Sequence, residues 1–543
     1  MQTSGDRAAD PAIITAMRAA LAHRGPDGSG QYLAGSVGLF NTRLAIIDLA
    51  TGDQPLRDAA GVTLVANGEI YNDPELRAGL MDAPFQTGSD CESPLHLYSR
   101  KGLGFVNDLR GMYAIAIHDP ASARLVLTRD PFGIKPLYYV ETPGCFAFAS
   151  EPQALIAAGL VKPTIRSRAR AELLQLKFTT GRETIFAGIQ RALPGETLVL
   201  EDGRIVERRL RRALPEGAPR AIDRADALRT LDEILRDTVT HHLRSDAPYG
   251  LFLSSGIDST ALAHLMARYS PNPIVAFTVT FPGSRAADEL AHARRVAGAV
   301  GAEHHVLELT EREFWALAPR VAEALDDPTT DPATVPTYAL AAMASKHVKV
   351  VLTGEGGDEM FCGYSRYRRA RWLRGMFTRN ARTHGEFDRV GHVNGAFDGW
   401  RDGLTLAEHN EARADRTFIQ KLQAADCAEW LPNDLLIKLD RCLMANGLEG
   451  RTPFLDPVVA DFAFRLPDQM KATTAMSKRL LRDWLASNVP SATPYASKLG
   501  FNPPVGEWIA RRKDVIEELV SAAPGITEVF SRDVVRRGGD APR

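Results

Sequence analysis

Cysteine is scarce in this 543-residue chain: Cys91, Cys145, Cys362, Cys427 and Cys442 are widely spaced and odd in number. No CxxC pair occurs, which argues against zinc-ribbon and dithiol chemistry and fits a reducing cytoplasm. No apolar run approaches the roughly 20 residues of a membrane span, and the N-terminus lacks a signal-type apolar segment. An excess of one charge is also missing. Lys and Arg number 65 against 67 Asp and Glu, a formal net charge of -2. The lack of a basic field to hold a phosphate backbone argues against nucleic acid as the main partner. The Arg clusters (Arg208 and Arg209, Arg211 and Arg212, and the run from Arg366 to Arg374) read as solvated faces or linkers. No Gly-rich loop is closed by Gly-Lys-Ser/Thr, so a Walker A nucleotide site is excluded.

What remains is globular composition, 45% hydrophobic and 24% charged, over a length that suits two large domains. Asp10 can cap a first helix that begins at Pro11 and lines Ile13, Ile14, Met17 and Leu21 along one face. Short β-type runs follow at Val37–Phe40, Leu44–Ile47, Val62–Ala66, Met112–Ile117, Arg124–Leu127 and Leu137–Val140. Many strands with few helices predict a layered α+β domain over 1–200. An Arg-, Gly- and Pro-containing stretch over 201–222 reads as a linker. Strand–helix alternation then sets in: strands at Tyr249–Leu253, Ile274–Val279 and Val348–Leu352, and helices at Ser259–Tyr269, Ala287–Val300 and Val335–Ser345. That alternation predicts a doubly wound α/β domain over 223–530 with ligand loops at the strand C-termini and a helical C-terminal part. The tail 531–543 reads as disordered.

Chemistry concentrates on two loops. Leu253-Ser254-Ser255-Gly256-Ile257-Asp258-Ser259-Thr260 joins an apolar strand to a helix, and its small residues let backbone N–H groups approach a phosphate. Val350-Val351-Leu352-Thr353-Gly354-Glu355-Gly356-Gly357-Asp358-Glu359 again runs from an apolar strand into a Gly-rich acidic turn. Acidic side chains beside a triphosphate call for Mg²⁺, and Asp258 and Asp358 are the natural ligand pair. Two other features read as structural. His304 and His305 are neighbours on a strand, face opposite sides and cannot share an ion. Cys91 reads as a buried small residue, because no His lies near it in sequence to activate it.

The first loop resembles the PP-loop of ATP pyrophosphatases, with Ser255 in place of its first glycine. Nearly the whole chain resembles the glutamine-hydrolysing asparagine synthetase family. The N-terminal motifs are His23-Arg24-Gly25-Pro26-Asp27, Arg43-Leu44-Ala45-Ile46-Ile47-Asp48, Asn67-Gly68-Glu69-Ile70-Tyr71-Asn72, Gly88-Ser89-Asp90-Cys91-Glu92, Arg129-Asp130-Pro131-Phe132-Gly133 and Leu193-Pro194-Gly195. To the two loops the C-terminal half adds Glu449-Gly450-Arg451-Thr452-Pro453-Phe454-Leu455-Asp456 and Ser477-Lys478-Arg479-Leu480-Leu481-Arg482. The resemblance implies an αββα, N-terminal-nucleophile-type glutaminase domain ahead of the PP-loop synthetase domain. It implies that Arg43 holds the glutamine carboxylate and that Glu69 and Asp90 bind its amino end. Asn67 and the Gly68 N–H would then form an oxyanion hole. In the synthetase half it implies ATP contacts from Leu253, Ser254, Ser255, Gly256, Asp258, Ser259, Val279, Thr353 and Gly354. Lys478 would sit on the triphosphate, Glu355 would act as the base for ammonia attack, and Mg²⁺ would lie on Asp258 and Asp358.

The implied reaction is ATP-dependent, AMP-forming amide synthesis, with aspartate to asparagine the first expectation and glutamine or ammonia the nitrogen source. Amidation or lactam formation on a different carboxylate is the enzymatic alternative. A non-catalytic nucleotide-binding protein and a PP-loop tRNA-modifying enzyme are alternatives of other classes. Partners are expected to be small molecules, with no nucleic acid and no membrane, and a homodimer is left open. Two departures stand out. The family carries Cys directly after the initiator Met, whereas residue 2 here is Gln2, and Gln2–Asp6 reads as the turn that follows an absent opening strand. As written, the chain is not expected to hydrolyse glutamine by the family mechanism. The surviving Arg43, Asn67, Glu69 and Asp90 favour an upstream start, with Met-Cys-Gly-Ile or a close variant within about ten codons, one strand's length. A natural member that uses free ammonia, or an amine within its own substrate, is the competing account. In the acceptor segment Asp326–Pro336, Pro332 stands where some members place an Arg for the substrate carboxylate.

Overall fold

The computed structural model describes residues 1–5, 7–283, 287–372, 382–388, 395–489, 492–496, 503–523, 525–526 and 528–530. The tail 531–543 and Arg374 of the Arg run lie outside the described residues.

Two antiparallel sheets build the N-terminal half. The first runs in the spatial order Ile189–Arg191, Tyr138–Thr142, Cys145–Ala149, Gln2–Thr3, Val37–Arg43, Gly28–Ala34. The second runs Arg204–Leu210, Glu196–Glu201, Arg124–Arg129, Gly111–Asp119, Thr63–Ile70, Leu56–Arg57. Alternating apolar residues of both sheets meet face to face: Val37, Leu39 and Phe146 from the first, Val65, Leu125, Leu127 and Leu198 from the second. The outer face of the first sheet is covered by the helices Pro11–Ala20 and Pro152–Ala157, through Ile14, Met17, Ala154 and Leu155. The outer face of the second is covered by Glu92–Lys101, through Leu95 and Tyr98. The layering is therefore αββα, as expected. Asp10 caps the first helix by accepting from the Ala12 N–H at 2.8 Å.

Three local expectations are corrected. Gln2–Thr3, read as a turn, is a short strand inside the first sheet: Gln2 pairs with Val37 on one side and Phe146 on the other. Ladder bonds to two neighbours outweigh the turn propensity of the polar residues around it. Leu44–Ile47, read as a strand, is irregular. Its backbone is claimed by side chains instead: the Ala45 N–H donates to Asp27 Oδ2 at 2.8 Å and Arg43 Nη2 donates to the Ile47 carbonyl at 3.2 Å. Arg204–Leu210, placed in the linker, is an edge strand paired with Glu196–Glu201. Its Arg208 is satisfied by Glu196 across that pair.

The C-terminal half holds a parallel sheet in the order Glu303–Glu308, Val275–Thr280, Tyr249–Phe252, Val350–Leu352, Glu449–Arg451. The helices Ile257–Tyr269, Ala287–Ala299 and Thr334–Ala344 lie between the strands in sequence, the doubly wound pattern expected. A fifth strand from Glu449-Gly450-Arg451 was not anticipated, because three residues with two charges carry no strand pattern. The two halves share a core in which Ile46, Tyr71, Met112, Phe132 and Ile134 pack with Leu231, Leu253, Leu435 and Phe454. Arg366, read as lying on a solvated face, is instead ion-paired to Asp426 at 2.9 Å with its guanidinium 4.0 Å from the Trp430 ring centre. Among the described residues no helix is long and apolar enough to cross a membrane.

Candidate functional site

A cavity of about 150 Å³ opens between the two sheets and the C-terminal half. Arg43, Asn67, Gly68, Glu69 and Asp90 all line it, together with Met1, Cys91, Met444 and Glu449. Arg43 ends its strand and is held by Asp53 Oδ1 at 2.8 Å and by the Asp48 carbonyl at 2.5 Å. Asn67 Nδ2 reaches Ser150 Oγ at 3.5 Å. Gly68 lies so close to the neighbouring strand that a Cβ there would sit 2.0 Å from the Met112 carbonyl oxygen, so only glycine fits. Asp90 Oδ2 accepts from the Ile70 N–H at 2.6 Å, and burial pushes its carboxyl up to about 6. Glu69 is 2% exposed, and its Oε1 has no hydrogen-bond partner among the described residues. Burial pushes the Glu69 carboxyl up, opposed by Arg451, whose Nη2 is 3.0 Å from Glu69 Oε2. The cavity wall is therefore acidic at one end, cationic at Arg43 and polar between. The Cys91 thiol is pushed well up by burial and then by Asp90 and Glu69, which disfavours a thiolate.

The second site lies at the carboxyl edge of the parallel sheet. Tyr249–Phe252 is flanked by Val275–Thr280 and Val350–Leu352, so Leu253, Val279 and Thr353 come together at adjacent strand ends. The loop after Leu253 is braced internally: Ser254 Oγ lies 3.0 Å from Ser259 Oγ and accepts from the Gly256 N–H at 3.1 Å. The helix Ile257–Tyr269 then starts with no side-chain cap, and the positive end of its dipole lies at this loop. Ser255, Gly256, Asp258, Lys478 and Arg482 line an adjoining cavity of about 350 Å³.

Lys478 is the centre of this site. It precedes the helix Arg479–Asn488 with a left-handed backbone (φ 53°). Its ammonium lies 2.5 Å from Asp258 Oδ2 and 2.6 Å from Asp358 Oδ1. Those two carboxylates push the ammonium up against the opposing effect of burial. A Cβ at Gly363 would lie 1.6 Å from Asp358 Oδ1 and 2.3 Å from Lys478 Cε, so glycine is required where the chain passes this ion triad. Two carboxylates converging on one positive charge are an oxygen donor set of the kind that also suits a hard divalent cation. Gly354 adjoins the triad, its added Cβ falling 3.0 Å from Asp258 Cβ. Glu355 is one residue further on, its carboxyl pushed up by burial and its Oε1 4.0 Å from Lys438 Nζ.

Several charged residues of these sites were not singled out from sequence. Arg451 is fully buried and donates to the carbonyls of His242 and Arg244 at 2.8 and 2.6 Å while pairing with Glu449 and Glu69. Lys135 reaches Glu449 from the N-terminal half at 3.4 Å. Arg24 pairs with Asp440 across the same boundary at 2.7 Å and with Glu151 of its own half at 2.6 Å. Arg24 and Arg451 both sit inside family motifs, His23–Asp27 and Glu449–Asp456, but their sequence neighbours carry no local signal of burial. The strand His304-His305 behaves as expected, with His304 on Thr278 and His305 on Glu303.

An αββα layer joined to a doubly wound sheet, with an uncapped helix start at the carboxyl edge of that sheet, is a frame that suits a two-part ligase of the amidotransferase type. Its C-terminal part matches the asparagine synthase family over residues 230–542, and its N-terminal part matches the glutamine amidotransferase domain over residues 2–210. The chain belongs to the asparagine synthase family and is an ATP-dependent amide ligase. It is 32% identical to asparagine synthetase [glutamine-hydrolyzing] 1 of Bacillus subtilis, over 92% of this chain and 84% of the relative. It is 30% identical to asparagine synthetase B [glutamine-hydrolyzing] of Escherichia coli, over 92% of this chain and 80% of the relative.

Proposed function

We propose that this ligase converts aspartate to asparagine through a β-aspartyl-adenylate, releasing AMP and pyrophosphate. The observation that carries the reading is the convergence of Asp258 and Asp358 on one cation beside an uncapped helix start. The aspartate β-carboxylate attacks the α-phosphorus of ATP, and the bond to pyrophosphate breaks. The loop Ser254-Ser255-Gly256, braced by Ser259, sets the helix start against the leaving phosphates, and Lys478 neutralises them. Mg²⁺ bound by Asp258 and Asp358 would supply further neutralisation of the polyphosphate. Leu253, Val279, Thr353 and Gly354 form the floor and wall against which the adenosine lies. Ammonia then attacks the acyl carbon, Glu355 takes the proton, and AMP leaves.

Ammonia comes from solution, and glutamine serves as its source only with a nucleophilic Cys directly after the initiator Met, a position that Gln2 holds in this sequence. For glutamine, Arg43 takes the α-carboxylate, Glu69 and Asp90 take the α-ammonium, and Asn67 with the Gly68 N–H faces the amide oxygen. The test is nucleotide and amino-acid analysis of the full chain with ATP, Mg²⁺, L-aspartate and ammonium. Equal amounts of AMP, pyrophosphate and asparagine are expected. ADP and phosphate as products would refute the reading.

A further inference from the structure

The proposed base Glu355 has a cation at its side that the reaction as written does not use. Lys438 lies within the helix Leu436–Met444, and its ammonium is 2.6 Å from Asp331 Oδ2 and 4.0 Å from Glu355 Oε1. An ammonium carries three donors, of which Asp331 takes one among the described residues. The Lys438 side chain is only 6% exposed, whereas Asp331 and Glu355 are 20% and 29% exposed, so the group opens toward solvent on their side. Asp331 Oδ1 is anchored by the Ala333 N–H at 2.9 Å, which fixes where its other oxygen points. The nearby Asp434 is already used: one oxygen accepts from the Thr329 hydroxyl and the other from Trp430 Nε1. Lys438 and Asp331 are therefore a fixed pair of opposite charges at the edge of the site where the acyl group reacts.

Resting on the amide-ligase reading, we propose that Lys438 and Asp331 are the receptor for an α-amino-acid head group. Lys438 takes the α-carboxylate and Asp331 the α-ammonium, so the acceptor is an amino acid whose second carboxylate reaches the Glu355 side. The ion pair exchanges partners on binding: Lys438–Asp331 becomes Lys438–carboxylate and Asp331–ammonium. Every buried charge stays compensated, which a half-buried site requires. Both partners are held in their charged forms, with Asp331 pushed down by Lys438 and Lys438 pushed up by Asp331 and Glu355, each against burial. A dicarboxylate without the amine presents a methylene to Asp331 and, by drawing Lys438 away, leaves Asp331 uncompensated. A site built around such a group discriminates strongly against the analogue that lacks it.

The experiment is calorimetric titration of L-aspartate, succinate and ATP into the full chain and into Lys438→Met, Lys438→Arg and Asp331→Asn. L-aspartate affinity is expected to fall at least about tenfold in Lys438→Met and Asp331→Asn, and less in Lys438→Arg, with ATP affinity unchanged. Succinate is expected to bind wild type at least about tenfold more weakly than L-aspartate, with the gap narrowed in Asp331→Asn. Asp331→Asn keeps the acceptor for the Ala333 N–H and guards against reading misfolding as lost recognition. L-aspartate affinity unchanged in both variants, aspartate and ATP affinity falling in parallel, succinate binding as well as L-aspartate, or no binding of L-aspartate to wild type would each overturn the proposal. Failure of the proposed reaction reads out separately, as L-aspartate binding without AMP release.

Discussion

Replacing Arg451 with Met probes the joint between the two halves. The guanidinium is fully buried, lies 3.0 Å from both Glu69 and Glu449, and donates to the carbonyls of His242 and Arg244. After the substitution Glu449 keeps Lys135 at 3.4 Å, but Glu69 loses the ion partner shown for it. Removing one member of a buried pair costs about 3–5 kcal/mol, chiefly for the charge left behind. Adding Glu69→Gln removes that charge, so the double variant is expected to recover part of the loss, with a coupling of about 0.5–3 kcal/mol. The assay is urea unfolding followed by the fluorescence of the six tryptophans. A loss below about 1 kcal/mol in Arg451→Met, or strict additivity of the two changes, refutes the assignment of Arg451 as the counter-charge of Glu69.

The remaining predictions concern the metal pair and a buried carboxyl. Asp258→Asn or Asp358→Asn is expected to cut pyrophosphate release by about 100- to 1000-fold, the cost of one lost transition-state contact. Circular dichroism should stay unchanged, and near-normal activity would remove that residue from the metal role. Glu429 accepts from the Gly181 N–H at 2.7 Å and is pushed up by burial from the usual 4.5 to about 7. A raised folded value means the folded state holds the proton more tightly. The resulting stability is full below about pH 4.5 and is lost as pH rises through about 7. Wild type is therefore expected to lose about 3 kcal/mol relative to Glu429→Gln between those limits. A difference in melting temperature that does not vary with pH contradicts this.

The parallel sheet is legible in the sequence because Tyr249–Phe252, Val275–Thr280 and Val350–Leu352 are apolar runs that lead into turns or helices, the pattern of strands covered on both faces. The loops after Leu253 and after Leu352 are legible because runs of Ser, Gly and acidic residues directly follow apolar strands. Gln2–Thr3 is not legible as a strand: two polar residues become β only because Val37 and Phe146 offer ladder partners from far along the chain. Leu44–Ile47 misleads in the opposite direction, having a strand's composition but a backbone held by Asp27 and Arg43. The ion pairs that join the halves, Arg24–Asp440 and Arg451–Glu69, span hundreds of residues, and no local pattern encodes such a distance. Arg366 shows the same limit, since its place against Trp430 depends on how helices pack and not on the Arg-rich run around it.

The central claim is that the acceptor carboxylate is activated as an adenylate at the site formed by Asp258, Asp358 and Lys478. Aspartate carrying heavy oxygen in its β-carboxylate tests it directly. As ammonia displaces AMP from the acyl-adenylate, one of those oxygens must leave with the phosphate. Mass spectrometry is expected to find the label in AMP and none in pyrophosphate. Unlabelled AMP, or label recovered in inorganic phosphate, would contradict the account.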